Sequence, residues 1–157
     1  MLKTILEAIK LVHVPPDGGS ATTYALSAGT TDVNSLGVDA LGFGRVCFVW
    51  TFGDNVDLGT FTGSIEGSAN NTDGWTAITG ATSSFTAGAS DTDNEMLAVE
   101  CEVNPTYRYY RAVSNRGTQN SVIAALHALL GKRQGIVPIT QTVGAGQFIQ
   151  TPVNVIE

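Results

Sequence analysis

The chain has 157 residues, a formal net charge of −6, 43% hydrophobic residues and 14% charged residues. This length and hydrophobic content are those of one globular domain rather than of a disordered chain. The negative charge argues against binding to nucleic acid, which requires clustered Lys and Arg side chains. The sequence contains no run of about 18 apolar residues and therefore predicts no membrane-spanning helix.

The first twelve residues have apolar side chains at helical spacing. These side chains are Leu2, Ile5, Leu6, Ile9 and Val12. The spacing predicts an amphipathic helix of about three turns that ends before Pro15, because the residue before a proline is disfavoured in the α region. So short a helix needs a partner for its apolar side. The helix is equally expected to pack on its own domain or to dock on a neighbouring subunit. An extended arm in place of the helix is a further alternative.

This N-terminal segment is not expected to be a secretion signal. Glu7 and Lys10 interrupt the apolar run, and residues 12–19 offer no small-residue cleavage site. The protein is therefore predicted to be non-secreted.

The segment from Arg45 to Phe52 predicts the central strand of the fold. Its alternating side chains are Val46, Phe48, Trp50 and Phe52 on one face and Cys47, Val49 and Thr51 on the other. Both faces are largely apolar, and β-branched and aromatic residues predominate, as in a strand that is covered on both sides.

Seven further segments are predicted strands, separated by turns rich in Gly, Asn and Pro. They are residues 22–28, 33–40, 60–68, 75–79, 96–103, 106–114 and 121–130. In the second of these strands, Leu36, Val38 and Ala40 are expected to face the core. Asp73 and Gly74 predict the hairpin turn that precedes the fourth.

Two segments allow more than one interpretation. Residues 80–94 are predicted to form a long surface loop, with a short strand near Phe85 as the alternative. Residues 121–130 are rich in Ala and Leu, which favour a helix, but the short preceding turn and the all-β setting favour a strand. We predict a strand.

The pattern as a whole predicts an all-β protein, an antiparallel β-sandwich of jelly-roll-like type. Residues 20–134 are the expected core domain, residues 1–19 an N-terminal helix or arm, and residues 135–157 an extended C-terminal arm. Both arms are expected to contact a partner subunit or a larger assembly. The candidate contact residues are the five N-terminal apolar side chains together with Ile136, Val137, Phe148 and Ile149.

No cluster of residues in the sequence suggests catalysis or a metal site, and no cofactor is predicted. His13 and His127 lie in different predicted elements, and His127 has no Cys, Asp or Glu nearby in sequence, so no zinc site is expected and His127 is predicted to be structural. Glu100 and Glu102 lie on the same face of one strand. A glycoside hydrolase instead needs two carboxylates that face each other across a cleft. We expect that the protein is not an enzyme.

Cys47 and Cys101 both fall within apolar strand segments. A disulfide between them is conceivable in a sandwich, but two thiols that act as small hydrophobic side chains are the preferred prediction.

Five aromatic residues allow a second hypothesis about function, in which their side chains form a platform that binds sugar. They are Trp50, Trp75, Tyr107, Tyr109 and Tyr110. Large aromatic side chains more often anchor sandwich cores and strand pairs, which is the preferred interpretation. Arg108 and Arg111, beside these tyrosines, are expected to stack on aromatic rings or to pair with acidic residues on a neighbouring strand.

Three groups of segments together resemble one family. They are residues 28–34 with 42–46, residues 65–68 with 73–78, and residues 107–113. In this order they resemble the tailed-bacteriophage capsid decoration or cement proteins, the head-stabilising proteins of small β-sandwich type. The resemblance spans about residues 25–130.

This resemblance implies a structural virion protein, made in the host cytoplasm, that binds the outside of the capsid and stabilises it without catalysis. The implied partners are the major capsid protein of the same phage and further copies of this chain, with a trimer favoured. The family supplies no motif that marks individual contact residues. The alternative function is a carbohydrate-binding sandwich on a virion head or tail, since similar Asp-Gly-Trp turns occur in such modules.

Overall fold

The structure, a computed structural model, describes residues 8–17, 30, 32–89 and 93–131. Within these ranges the regular elements are nine β-strands. They are β1 Lys10–His13, β2 Val33–Asn34, β3 Val38–Asp39, β4 Arg45–Asn55, β5 Thr60–Ser68, β6 Thr76–Thr86, β7 Met96–Glu102, β8 Tyr109–Gly117 and β9 Ser121–Gly131. No helix in this part of the chain is long and apolar enough to cross a membrane.

The strands form two antiparallel sheets that pack face to face. The first sheet has the order β1-β9-β4-β7, and the second has the order β2-β8-β5-β6, with β3 also paired to β8. If β2 and β3 are taken as one interrupted strand, this is the eight-strand order of a jelly roll. The prediction of an all-β, jelly-roll-like antiparallel sandwich is confirmed.

The core lies between the sheets and is organised around β4. The side chains of Val46, Phe48, Trp50 and Phe52 point inward, and none is more than 2% exposed. The Trp50 and Phe52 rings meet the Phe61 ring of the second sheet edge-on, with ring centroids 6.1 and 4.8 Å apart. β4 therefore lies at the centre of its sheet, between β9 and β7, as the sequence predicts.

One hydrogen bond joins the two sheets inside this core. The Trp50 indole Nε1 donates to the Ser114 hydroxyl of β8 at 2.8 Å, and both residues are buried. The ring fits because the facing residue is Gly63, where a Cβ atom would lie only 3.0 Å from Leu97 and 3.1 Å from the Trp50 ring. A buried indole N–H without an acceptor would be costly, so Ser114 fixes both the depth and the tilt of the ring.

The predicted N-terminal helix ends earlier than expected, because Ala8 is helical but the helix does not continue to Val12. Lys10–His13 is strand β1, which pairs with β9 in the register Lys10↔Leu130 to His13↔His127. The edge of β9 offers backbone partners to this segment, and Val12 packs against the core. Tertiary pairing thus overrides a helical pattern that would be marginal in a short isolated segment. The rest of the predicted helix lies outside the described residues, as do predicted strand 22–28 and the C-terminal arm.

The predicted strand at residues 33–40 is interrupted, and its inward face is only partly as expected. Val38 comes four residues after Asn34, but their partners on β8 are only three residues apart. This extra residue acts like a β-bulge and reverses the alternation of side chains. Ser35 is therefore buried and Leu36 is 43% exposed, whereas Val38 and Ala40 face the core as predicted.

Three other segments test the strand predictions. The loop predicted for residues 80–94 is wrong as far as Thr86, because β6 continues to that residue with Ala81 buried on its inner side. β8 continues to Gly117, beyond the predicted strand end at residue 114, with Arg116 buried and its guanidinium donating to the Ser121 carbonyl. The strand predicted for residues 121–130 is confirmed as β9.

We predict that the inter-sheet hydrogen bond couples Trp50 to Ser114 in a double-mutant cycle. Trp50→Phe removes the donor and leaves the buried hydroxyl short of a partner, so it should destabilise the fold by about 1–3 kcal/mol. The same change in a Ser114→Ala background should cost less, giving a coupling energy of about 1 kcal/mol in urea unfolding experiments. Strictly additive effects of the two substitutions would show that the bond contributes nothing to stability.

Candidate functional site

The outer face of the first sheet is apolar, although no strand of the second sheet packs on it. Its outward side chains come from β1, β9, β4 and β7 and include charged Arg45, Glu100 and Glu102 at one end. We call the uncharged outward side chains the apolar outer face: Leu11, His13, Cys47, Val49, Thr51, Met96, Ala98, Ala125, His127 and Leu129. Most are half-buried, while Ala98 is exposed and Met96 is 70% exposed. This explains why both faces of β4 are apolar in sequence.

The outer face of the second sheet has the opposite character. Its outward side chains are Thr60, Thr62, Ser64, Glu66, Thr82, Ser84, Thr86, Arg111, Val113 and Asn115. Hydroxyl groups predominate here, and its two charged members pair, since the Arg111 guanidinium lies 2.7 Å from the Glu66 carboxylate. A solvated sheet face is normally polar in this way. The apolar outer face of the first sheet is therefore the unusual feature of this sandwich.

Three charged side chains on this face, Arg45, Glu100 and Glu102, lie together at one end of it. The Arg45 guanidinium lies 3.4 Å from the Glu100 carboxylate and 3.0 Å from the Glu102 carboxylate. These two acids are thus paired surface charges, as the sequence predicts, and they do not face each other across a cleft. The remainder of the face has no formal charge when its histidines are neutral, in a chain whose net charge is −6.

The two histidines of the chain meet on the apolar outer face. His13 and His127 are directly opposite each other on β1 and β9, with ring centroids 5.1 Å apart and planes inclined by 38°. The sequence pattern separates them, because it predicts a helix where β1 lies. No sequence signal short of the β1–β9 register could have brought them together.

Both histidines are held towards the neutral form. Burial is the main cause that lowers the pKa of His13, the positive charge of His127 lowers it further, and a hydrogen bond with the Leu126 backbone partly offsets both. Burial alone lowers the pKa of His127. Near pH 7 the apolar outer face therefore has two adjacent uncharged imidazoles.

The two cysteines are free thiols, in agreement with the preferred prediction. Cys101 points into the core beside Val46, whereas Cys47 points outward opposite Glu100, so they lie on opposite faces of one sheet. Burial raises the pKa of Cys101 to about 11, and burial with the Glu100 charge raises the pKa of Cys47. Neither thiol has the lowered pKa of an activated nucleophile.

A groove of about 570 Å³ lies between the edge strands of the two sheets. It is lined by backbone and side chains of β6 and β7 and of the segment after β7, including Ile78, Ala81, Glu100 and Pro105. Its carboxylates are those that pair with Arg45, and no histidine lines it. Among the described residues, no group of three or more His, Cys, Asp or Glu side chains is placed to hold a metal ion.

Only two of the nine predicted contact residues fall within the described ranges. Val12 is half-buried and packs against the core of its own domain. Ile9 is half-buried just before β1. The other seven, Leu2, Ile5, Leu6, Ile136, Val137, Phe148 and Ile149, lie outside the described residues. The apolar outer face is a candidate contact surface that the sequence pattern does not reveal.

The aromatic residues are largely structural. Trp50 and Tyr110 are fully buried. Trp75 is half-buried, and the Arg111 guanidinium lies 4.6 Å from its ring centroid. The Arg108 guanidinium lies 5.2 Å from the Tyr109 ring centroid and also pairs with the Asp39 carboxylate. The predicted stacking and cross-strand pairing of the two arginines are confirmed.

Comparisons with known proteins give only distant structural likenesses. No protein-family model matches the chain, and no curated protein matches it. Eiger TNF from S. frugiperda is similar at a TM-score of 0.37 and 9% identity, over 86% of this chain and 99% of that one.

A Clostridium thermocellum xylanase 10B structure, which comprises CBM22-1 and GH10 modules complexed with xylohexaose, is similar at a TM-score of 0.42 and 12% identity. The likeness covers 86% of this chain and 28% of that one. Likenesses this distant carry no argument about what the chain does.

We predict that the histidine pair makes the fold less stable in mild acid. Because burial lowers both folded-state pKa values below the ordinary value of about 6.5, the unfolded chain binds protons more readily than the folded chain. The contribution of the uncharged histidine pair to the free energy of unfolding is complete above about pH 6.5, and it should be lost as the pH falls through the lowered pKa values of the folded state. The free energy of unfolding, measured by urea titration between pH 7.5 and 5, should therefore fall.

The double variant His13→Gln with His127→Gln serves as the control, since it removes both imidazoles and keeps polar side chains. Its free energy of unfolding should fall less over the same pH range. Equal slopes in the two proteins would contradict the assignment of this pH dependence to the pair.

Proposed function

We propose that this protein is a structural virion component, a decoration or cement protein that binds the outside of a tailed-phage capsid and stabilises it without catalysis. The family resemblance of residues 25–130 supports this role. The observation that carries the proposal is the unequal character of the two outer faces of the sandwich. A compact domain with one polar and one apolar outer face is suited to adhesion, because the apolar face gains stability when another surface covers it.

The occupant of the apolar outer face is proposed to be a second copy of the chain. Each copy has a net charge of −6, so copies repel one another except where an uncharged surface allows close approach. The apolar outer face supplies such a surface around Val49, which lies opposite His127 on one side and Ala98 on the other. Hydrophobic contact there can outweigh a repulsion that is screened over about 10 Å at ordinary ionic strength.

A closed cyclic trimer is the proposed assembly. Rotational symmetry lets the same surfaces be buried in every copy without leaving an open end. Three-fold symmetry also matches the three-fold and quasi-three-fold positions of a capsid lattice. The major capsid protein of the same phage is the proposed partner of the assembled trimer, and the virion surface the proposed location.

We predict that Val49→Glu disrupts this association. A carboxylate at the centre of the apolar outer face would be buried without a counter-ion, so association should weaken at least about tenfold, or ~1.4 kcal/mol. Light scattering coupled to size-exclusion chromatography should give three times the 16.4-kDa chain mass for the wild type and a smaller mass for the variant. Circular dichroism should show that the fold is retained.

Ser64→Glu is the matched control, because it places the same charge on the outer face of the second sheet. Its mass should equal that of the wild type. A wild-type protein that is monomeric at tens of micromolar, or equal loss of mass in both variants, would contradict the proposed surface.

Capsid binding is tested separately by co-sedimentation with capsids that lack the protein. The wild type and Ser64→Glu should pellet with the capsids and raise the temperature at which they disrupt. Val49→Glu should bind more weakly, since a trimer engages three contacts at once and a monomer only one. Absence of binding by a trimeric wild type would refute the capsid role while leaving the assembly proposal intact.

Carbohydrate binding is the alternative proposal, and the half-exposed ring of Trp75 is the observation that favours it. Aromatic faces pack readily against the apolar faces of sugars, but Arg111 already covers one face of this ring. A glycan array should distinguish the two functions. Binding that is abolished by Trp75→Ala but unaffected by Val49→Glu would support the alternative over the capsid role.

A further inference from the structure

One edge of the first sheet is open in the described part of the chain. β7 is the last strand of that sheet, and among the described residues its strand partner is β4 alone. The two strands pair without a bulge from Arg45↔Glu102 to Thr51↔Met96. A regular edge strand of this kind, seven residues long and without proline, presents a row of backbone groups to which another strand can pair.

Two hydrogen bonds at the ends of β7 show which of its backbone groups face this open edge. Phe52 N–H donates to the Glu95 carbonyl at 2.9 Å, and Val103 N–H donates to the Gly44 carbonyl at 3.0 Å. Because backbone groups alternate in direction along a strand, the odd-numbered residues of β7 bond to β4 and the even-numbered residues face away. In its second half these outward backbone groups belong to Ala98, Glu100 and Glu102. No other backbone group of the described residues bonds to them.

A groove lies beside the open edge. β6 ends the second sheet as β7 ends the first, and the groove of about 570 Å³ is between them. This volume falls within the roughly 300–1,000 Å³ of typical binding sites. A strand added to β7 would extend the first sheet over the groove, so every second side chain of that strand would point into it. Ile78, Ala81 and Val103 line the groove, which favours small apolar side chains at those positions.

The other side chains of an added strand would meet negative charge. Glu100 and Glu102 lie on the outer face of the sheet at its open edge, and their side chains are 50% and 72% exposed. Arg45 is their one ion-pair partner among the described residues, so one negative charge remains uncompensated. Basic side chains are therefore favoured at these positions. A second copy of the chain would instead bring another pair of carboxylates and a net charge of −6.

We propose that the open edge of β7 binds an extended segment of another protein in which basic residues alternate with small apolar residues. The segment adds to the first sheet as a further strand. Its backbone hydrogen bonds to β7 supply affinity, and its alternating side chains supply specificity through the groove and the two glutamates. This surface is separate from the proposed interface between copies, and the inference does not depend on the virion role.

A fluorescent seven-residue peptide that alternates lysine with valine is the probe. Fluorescence anisotropy with the full-length protein should show saturable binding of one peptide per chain. A peptide of the same sequence with every second backbone nitrogen methylated keeps its charge but loses hydrogen-bond donors. It should bind at least about tenfold more weakly, because several backbone hydrogen bonds are lost.

Amide hydrogen exchange measured by NMR locates the bound peptide. In the free protein the N–H groups of Ala98 and Glu100 should exchange rapidly, whereas Val99 N–H, which faces β4, should be protected. Saturation with the lysine peptide should protect Ala98 and Glu100 as well. Charge attraction alone would leave their exchange unchanged.

Ala98→Pro tests the open edge without removing a hydrogen bond to β4. It deletes an N–H group that faces outward, and proline is tolerated in edge strands. The affinity for the lysine peptide should fall about tenfold, since the ring also obstructs pairing with a neighbouring strand. Ala98→Val keeps the N–H group and should bind as the wild type does. Circular dichroism verifies that both variants are folded.

The double variant Glu100→Gln with Glu102→Gln tests the charge requirement. Its affinity for the lysine peptide should be lower and should depend less on salt concentration. Asp54→Asn with Asp57→Asn is the matched control, because it neutralises two exposed carboxylates at the opposite end of β4. The control should bind as the wild type does.

Four results would overturn the proposal. The first is no binding of the lysine peptide at millimolar concentration, and the second is unchanged affinity of the methylated peptide or of Ala98→Pro. The third is an equal loss of affinity in the aspartate and glutamate double variants, which would reduce the effect to overall charge. The fourth is protection of Ala98 and Glu100 N–H in the free protein, which would mean that this chain or a second copy already covers the edge.

Discussion

The structure depends on one side chain that joins the two sheets. Trp50 is anchored in β4, hydrogen bonds to Ser114 of β8, and occupies the space left by Gly63 of β5. An indole has only one polar atom, its ring nitrogen. Burying that N–H group without a hydrogen-bond acceptor would cancel much of the free energy that the burial of the large apolar ring contributes. The hydrogen bond therefore sets how the sheets lie against each other. The edge-on contacts that Trp50 and Phe52 make with Phe61 extend this packing along the core.

The functional proposals follow from a difference between surfaces rather than from a cleft. Both sheets cover the core with their inner faces, yet only the second has a water-facing outer side of Thr, Ser and paired charges. The outer side of the first has Val49, Leu129 and Ala98 at positions where a solvated sheet would have polar residues. Apolar side chains there add nothing to the core between the sheets. The proposed self-association and capsid role explain this composition without requiring catalytic groups.

Strand β1 connects this surface with the core. Its four residues bring His13 opposite His127 and direct Val12 into the core. Proton uptake by both rings would weaken the contact between them, because two adjacent positive charges repel each other.

Much of the fold follows from the sequence alone, because strand periodicity is a local property. Alternation identified the buried face of β4 and the ranges of most other strands, and the Asp73-Gly74 turn marked the hairpin that joins β5 to β6. The sequence also indicated that Arg108 and Arg111 pair with acidic residues. It could not reveal β1, the bulge-like irregularity near Ser35, the histidine pair or the apolar outer face. Each of these features depends on which distant segment pairs with a given strand and in which register. Only the tertiary structure decides that pairing, because the pairing energy between remote segments can override a local sequence pattern.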